Sequence, residues 1–142
     1  METEGPRHSV SVSAVIVDDE GRVLAIRRSD NGHWEPPGGV LELEEPILDG
    51  LVREVAEETG LIVEPERLTG VYKNMVRGIV ALVFRCRVVD GQIVSSPEVA
   101  EAAWLSLTEA GERMSEAYCS RVFDAVAKAP PVVRAHDGAR IT

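Results

Sequence analysis

Within the stretch Arg53-Glu54-Val55-Ala56-Glu57-Glu58-Thr59-Gly60, four charged side chains fall in six residues. Wound as a helix at roughly 100° per residue, Glu54, Glu57 and Glu58 share an arc of about 100°, beside an apolar stripe rather than opposite it. Local helix physics disfavours this. Glu54 and Glu58 stand at i and i+4, where like charges repel, and acids near a helix C-terminus oppose the macrodipole. A sequence that breaks a local rule points to a site of function, and clustered carboxylates beside a buried face suit a hard divalent cation that takes oxygen ligands. The competing reading of the same residues is a solvated acidic face.

The elements that must position these acids follow from the flanking pattern. Ile47, Leu48, Leu51, Val52 and Val55 recur at helical spacing, Pro46 suits the first helical position, and Gly60 is placed to stop the helix in the left-handed conformation. Upstream, residues 9–17 read as a strand with Val10, Val12, Ala14 and Ile16 on one parity. Asp18 to Gly21 turns the chain, and Val23 to Ile26 resume a strand that ends in Arg27-Arg28, so the two runs predict a hairpin. Pro36-Pro37-Gly38-Gly39 reads as a stiff bend, with φ fixed at two positions and freed at the next two. Downstream, Leu61–Val63 and Leu68–Lys73 are short strand candidates. Ile79–Val89 is the clearest strand, with Val80, Leu82, Phe84, Cys86 and Val88 on one face. Ala102–Leu105 reads as a last strand and Leu107–Arg113 and Glu116–Lys128 as helices. The result is a single domain over 9–129 between an N-terminal tail, 1–8, and an aperiodic C-terminal tail, 130–142. Strands interleaved with a few helices predict a mixed sheet with helices on its faces.

Composition narrows the partners. The chain of 142 residues is long enough for one core without disulfides, and Cys86 and Cys119 stand in no metal or redox spacing, so both read as buried thiols. Fifteen Lys+Arg against twenty-four Asp+Glu leave a net charge of −9, which repels a polyanion and argues against duplex nucleic acid as the main partner. No apolar run suggests a membrane span, and the polar, acidic start from Met1 to His8 lacks a secretory pattern, so the cytoplasm is the expected compartment. A monomer and a homodimer are both compatible with this surface.

The longer pattern is more specific. From Gly39 there are five residues to Glu45, seven more to Arg53, then Glu54, aliphatic Val55, one free position, Glu57, Glu58, one free position, Gly60 and Leu61. This resembles the Nudix box at every specified position, and Trp34-Glu35-Pro36-Pro37-Gly38 looks like the approach to it that the family uses. One departure is Glu44, where relatives often carry Gly. The resemblance implies an α/β (α+β) fold, a three-layer α/β/α sandwich around a mixed β-sheet. It implies a hydrolase that cleaves the diphosphate bond of a nucleoside diphosphate derivative, a small-molecule substrate, with Mg²⁺ or alternatively Mn²⁺. In that scheme Glu54, Glu57 and Glu58 hold the metal, the Gly39 backbone approaches it, and Glu45 and Arg53 support the carboxylates. The general base is Glu54 or, outside the box, Glu98 or Glu101. Independently of the family, Arg27 and Arg28 at a strand end could clamp a phosphate, and Trp34 and Tyr72 could stack on a base. The alternative is a Nudix-like module that senses a nucleotide without cleaving it, against which the complete set of box glutamates counts.

Overall fold

The computed structural model describes residues 5–142, so of the expected N-terminal tail residues 5–8 are seen, exposed and without regular structure. The elements run β1 (Ser9–Ile16), β2 (Val23–Arg28), β3 (Trp34–Glu35), β4 (Gly38–Val40), α1 (Ile47–Thr59), β5 (Leu61–Asn74), β6 (Ile79–Gly91), β7 (Val99–Leu105), α2 (Leu107–Arg113), α3 (Glu116–Val126) and β8 (Val132–His136). Five strands form a mixed sheet in the order β4-β1-β6-β5-β8, in which β1 with β6 and β5 with β8 are parallel. A smaller antiparallel sheet has the order β3-β2-β7.

Apolar side chains on both faces of these strands demand cover on both sides, and two cores result. Leu51 and Val55 of α1 seal one face against Val12, Ala14, Ile16, Leu24 and Cys86. Ala110, Val122 and Ala125 of α2 and α3 seal the other against Val15, Val23, Tyr72, Ala81 and Val83. This is the three-layer α/β/α arrangement around a mixed sheet. Among the described residues, no helix is long and apolar enough to cross a membrane.

Several local expectations are revised. β1 and β2 are not a hairpin: β4 and β6 occupy both edges of β1, and only a bridge between Val17 and Val23 joins the two runs. The two short strands after α1 are one strand, β5, kept continuous by register shifts at Ile62/Val63, Pro65/Arg67 and Leu68/Gly70, the second beside a proline that has no N–H to donate. β6 buries Ala81 and Val83 as deeply as Cys86 and leaves Val88 exposed, because helices cover both faces of its first half and neither face of its end. Ile47 and Leu48 are exposed, and the inner face of α1 is instead Gly50, Leu51, Val55, Glu58 and Thr59. Lastly, the C-terminal tail contains β8, which pairs in parallel with β5 from Gly70↔Val132 to Asn74↔His136 and completes the sheet. Five residues are too few to show a period, and their partner lies some sixty positions earlier in the chain.

Candidate active site

The carboxylate helix is held at both ends by backbone chemistry. Pro46 caps its start in an extended conformation, and Gly60, at φ 82°, ends it with its N–H donated to the Ala56 carbonyl at 2.9 Å. Buried Thr59 donates its hydroxyl to Val55 O at 2.7 Å and accepts the Leu61 N–H at 3.1 Å, fixing the exit into β5. Glu58 is therefore carried on the inner face, in line with Leu51 and Val55, and is only 7% exposed.

Gly38 and Gly39 do not serve this site through the freed φ that the bend reading expected. Neither has a positive φ; both lie in the edge strand β4. What they supply is the missing Cβ. A side chain at Gly39 would fall onto the Glu54 carboxylate, and one at Gly38 would run into the backbone of Val12 and Ser13. The Gly38 N–H donates to Glu58 Oε1 at 2.7 Å, so two carboxylates of α1 meet the backbone of two successive residues.

Their electrostatics are unsettled. Burial pushes Glu58 up to about 7; the Gly38 N–H pulls the other way, and Glu35 and Glu54 push further up. Glu54, with a side chain 16% exposed, is likewise raised by burial and held partly in check by Arg53. Glu35, which faces the same region, is raised by burial against its bond to Arg28.

Arg53 organises the other box acids. Its guanidinium forks onto Glu45 with bonds of 2.8 and 2.6 Å, holding that carboxyl down at about 2, and reaches Glu54 at 3.1 Å and Glu57 at 3.1 Å. Glu57 is 59% exposed and turned to Arg53. Among the described residues no three His, Cys, Asp or Glu side chains converge as metal ligands, so Glu54 and Glu58 share the Gly38–Gly39 rim while Glu57 stands outside it.

The remaining sequence candidates are dispersed. Arg28 forks onto Asp30 at 2.9 and 2.7 Å and reaches Glu35 at 3.2 Å, so its guanidinium is committed, but it stands where two clefts meet. Arg27 turns away to Glu101 at 3.6 Å, which leaves both outside the clefts. Glu98 lines a cleft with Arg28, Asp30 and Glu58, and its carbonyl accepts the Ser29 N–H at 3.0 Å. Tyr72 is wholly buried and bonded to Asp124, so it cannot stack on a base, and Trp34 packs in the core under Arg113. Glu44 is exposed, and nothing around it explains its presence.

On the α3 side of β4 lies a cleft of about 240 Å³ that the sequence reading missed. Ser13, Glu35, Gly38, Tyr118, Arg121 and His136 are among its walls. Two signals were legible: Arg121 interrupts the apolar stripe of Ala117, Val122 and Ala125 on α3, and Ser11 and Ser13 interrupt the buried parity of β1 that Val15 continues. His136 had none, being on β8.

The comparisons with known proteins agree with this geometry. The NUDIX domain model matches residues 7–124. A MutT-like protein of Streptomyces ambofaciens is 57% identical over 136 residues, which are 96% of this chain and 88% of that one. An ADP-ribose pyrophosphatase of Methanocaldococcus jannaschii is 32% identical over 99 residues, covering 65% of this chain and 59% of its own. The solved NUDIX hydrolase from Nitrosomonas europaea superposes with a TM-score of 0.76 at 29% identity, over 88% of this chain and 93% of that one. A box complete from Gly39 to Leu61, set on a helix whose acids meet the Gly38–Gly39 backbone inside an α/β/α sandwich, thus sits in a chain that belongs to the Nudix hydrolase family.

Proposed function

We propose that the chain hydrolyses the diphosphate bond of a nucleoside diphosphate derivative with Mg²⁺ bound at the Glu54–Glu58 rim. The observation that carries this is Glu58: a carboxylate buried on the inner face of α1, given one backbone N–H and faced by two further acids. The nearby Arg28 is engaged by Asp30 and Glu35 rather than by Glu58, so the group has no ion-pair partner of its own, and a hard cation with oxygen ligands would supply one. The donor set fits. Glu54 and Glu58 present side-chain oxygens beside a backbone that no Cβ obstructs, and Glu57 joins them by exchanging its exposed bond to Arg53.

A divalent metal held by Glu54 and Glu58 would supply positive charge to phosphoryl oxygens and a more acidic water. The protein's own part is to hold the acids and move the proton. Arg53, fixed by Glu45, keeps Glu54 in place. Glu54 is the base we assign, since its carboxyl is raised by burial, restrained by Arg53 and set against the Gly39 backbone; Glu98, beside Glu58 in the neighbouring cleft, is the reserve outside the box. A diphosphate lying along β4 would carry its nucleoside into the cleft under Arg121. The name of the archaeal relative, an ADP-ribose pyrophosphatase, is that of an enzyme for such a diphosphate.

The test is product chromatography over a panel of nucleoside diphosphate derivatives, with Mg²⁺, with Mn²⁺ and with neither. Release of a nucleoside monophosphate only with metal, and a fall of at least about a hundredfold in Glu57→Gln and Glu58→Gln with the circular dichroism spectrum kept, is the expected result. A panel left intact by a protein that still binds nucleotide would replace the enzyme with a sensing module.

A further inference from the structure

Among the described residues, three buried side-chain polar atoms have no hydrogen-bond partner: Ser13 Oγ, Arg121 Nε and His136 Nε2. They come from β1, α3 and β8, and all three residues line the cleft beside Gly38 and Gly39, whose walls include neither Glu54 nor Glu58. Buried polar groups are almost always satisfied, so three orphans around one cavity mark the place of a ligand. An arginine nitrogen can only donate. His136 accepts the Gly138 N–H on Nδ1 at 3.0 Å, so its Nε2 carries the proton and donates as well, while the Ser13 hydroxyl serves either way. A ligand here must bring lone pairs.

Charge narrows it further. In this chain of net charge −9 the arginines are mostly taken: Arg22, Arg28, Arg53, Arg87, Arg113 and Arg134 each hold a carboxylate. Arg121 holds none among the described residues, although it is only 8% exposed. Its guanidinium lies 4.7 Å from the ring centre of Tyr118 and 5.4 Å from that of Tyr72. Glu35 attracts it from beyond ion-pair distance, but that carboxylate is bound to Arg28, and Asp124 on the same helix is bound to Arg134. Burial outweighs these attractions and disfavours the charged form, so a buried cation is left without the anion that would balance it. Arg77, exposed on the turn between β5 and β6, is a second arginine on the wall of this cleft with no ion pair among the described residues. Donors on three separate elements, joined by Arg77, suit a tetrahedral oxyanion, whose oxygens diverge, better than a flat carboxylate with two.

We infer that this cleft is an anion site apart from the Glu54–Glu58 rim, and that it binds a phosphate group through Arg121, His136, Ser13 and Arg77. That phosphate arrives either as a monoester on the ribose of the nucleoside that the cleft receives, or as free phosphate. The first source rests on the substrate proposed above; the site itself does not.

The experiment is calorimetric titration of the whole chain in EDTA, where no metal occupies the rim, with inorganic phosphate, adenosine, AMP and the 2′,5′- and 3′,5′-bisphosphates of adenosine. Phosphate should bind at millimolar concentration. Arg77→Ala should weaken it at least about threefold, and Arg87→Ala, which removes an arginine outside the cleft, should leave it unchanged. Arg121→Met should abolish it; if that variant does not fold, Arg77→Ala against Arg87→Ala decides. Either bisphosphate binding at least about tenfold tighter than AMP assigns the phosphate to the ribose, whereas bisphosphates, AMP and phosphate binding alike assign the site to free phosphate. Neither phosphate nor bisphosphate bound at about 10 mM, equal weakening by Arg77→Ala and Arg87→Ala, or adenosine bound as tightly as the bisphosphates each overturns the inference. A chain that binds phosphate here but cleaves no diphosphate refutes only the hydrolase reading. One that cleaves diphosphates but binds no phosphate in EDTA refutes only this one.

Discussion

Glu58 on α1 and Asp124 on α3 are shielded carboxylates on helices packed against opposite faces of one sheet, and their acidities move in opposite directions. Burial pulls both up. At Asp124, 12% exposed, two bonds of 2.8 Å from Arg134 and the Tyr72 hydroxyl at 2.6 Å more than reverse it, and the carboxyl ends below its usual range. At Glu58 only one backbone N–H and the charge of Arg28, itself engaged by Asp30 and Glu35, oppose burial, and two more acids add to it. Depth alone does not distinguish the two. What does is whether the protein itself completes the carboxylate: a completed one is a staple, and an incomplete one is a place for something that arrives later.

The sharpest break of this contrast is a pH series of thermal stability without divalent cations. Glu58 titrates at about 7 folded against 4.5 when free, so between those values the native state holds a proton that the unfolded chain has released. Stability from this group is thus full below pH about 4.5 and falls as pH rises through about 7, by ~3 kcal/mol, or roughly 10 °C in Tm for a domain of this size. Glu58→Gln should flatten that slope and melt higher than wild type at pH 8. An unchanged slope in the variant would mean that Glu58 is completed after all, and the distinction from Asp124 would go.

Next in size is Gly39→Ala. Its Cβ would displace the Glu54 carboxylate, and moving a catalytic group by about an ångström costs on the order of a hundredfold in rate. Stability should change less than activity, since β4 is an edge strand and alanine accepts its extended backbone. Hydrolysis at the wild-type rate would detach Glu54 from the site.

How much of this was legible in the sequence follows the same division. The helix of Glu54 to Glu58 and its stop at Gly60 are local, written in periodicity and in one residue with φ at 82°. The inward turn of Glu58 was also readable, because it continues the Leu51, Val55 spacing by three. Of the two readings of Gly38 and Gly39, freed φ and close backbone approach, the first failed: glycine signals either φ or space, and only the neighbours, Glu54 and the Val12 carbonyl, decide which. The cleft on the α3 side of β4 was least legible. It gathers Ser13, Arg121 and His136 from elements far apart in the chain, and β8 exists as a strand only because β5 offers an edge to it.

The smallest effect tests the completed side. Asp124→Asn keeps an oxygen for the Tyr72 hydroxyl but removes the charge that Arg134 binds. Arg134 is more than a third exposed, so solvent screens much of the pair and the loss at pH 7 should be ~1–2 kcal/mol, read as a lower urea midpoint with unchanged slope. The pH dependence has the sign opposite to that of Glu58. A carboxyl lowered by folding contributes its stability above the unfolded value of 3.8 and loses it as pH falls through the folded one, so wild type should weaken on that acid limb while Asp124→Asn does not. Hydrolysis per folded molecule should fall far less than in Gly39→Ala, because Asp124 reaches the cleft only through Tyr72 beneath Arg121. If instead the variant kept its stability and lost its rate, Asp124 would belong with Glu58, and satisfaction by neighbours would not be what separates a staple from a site.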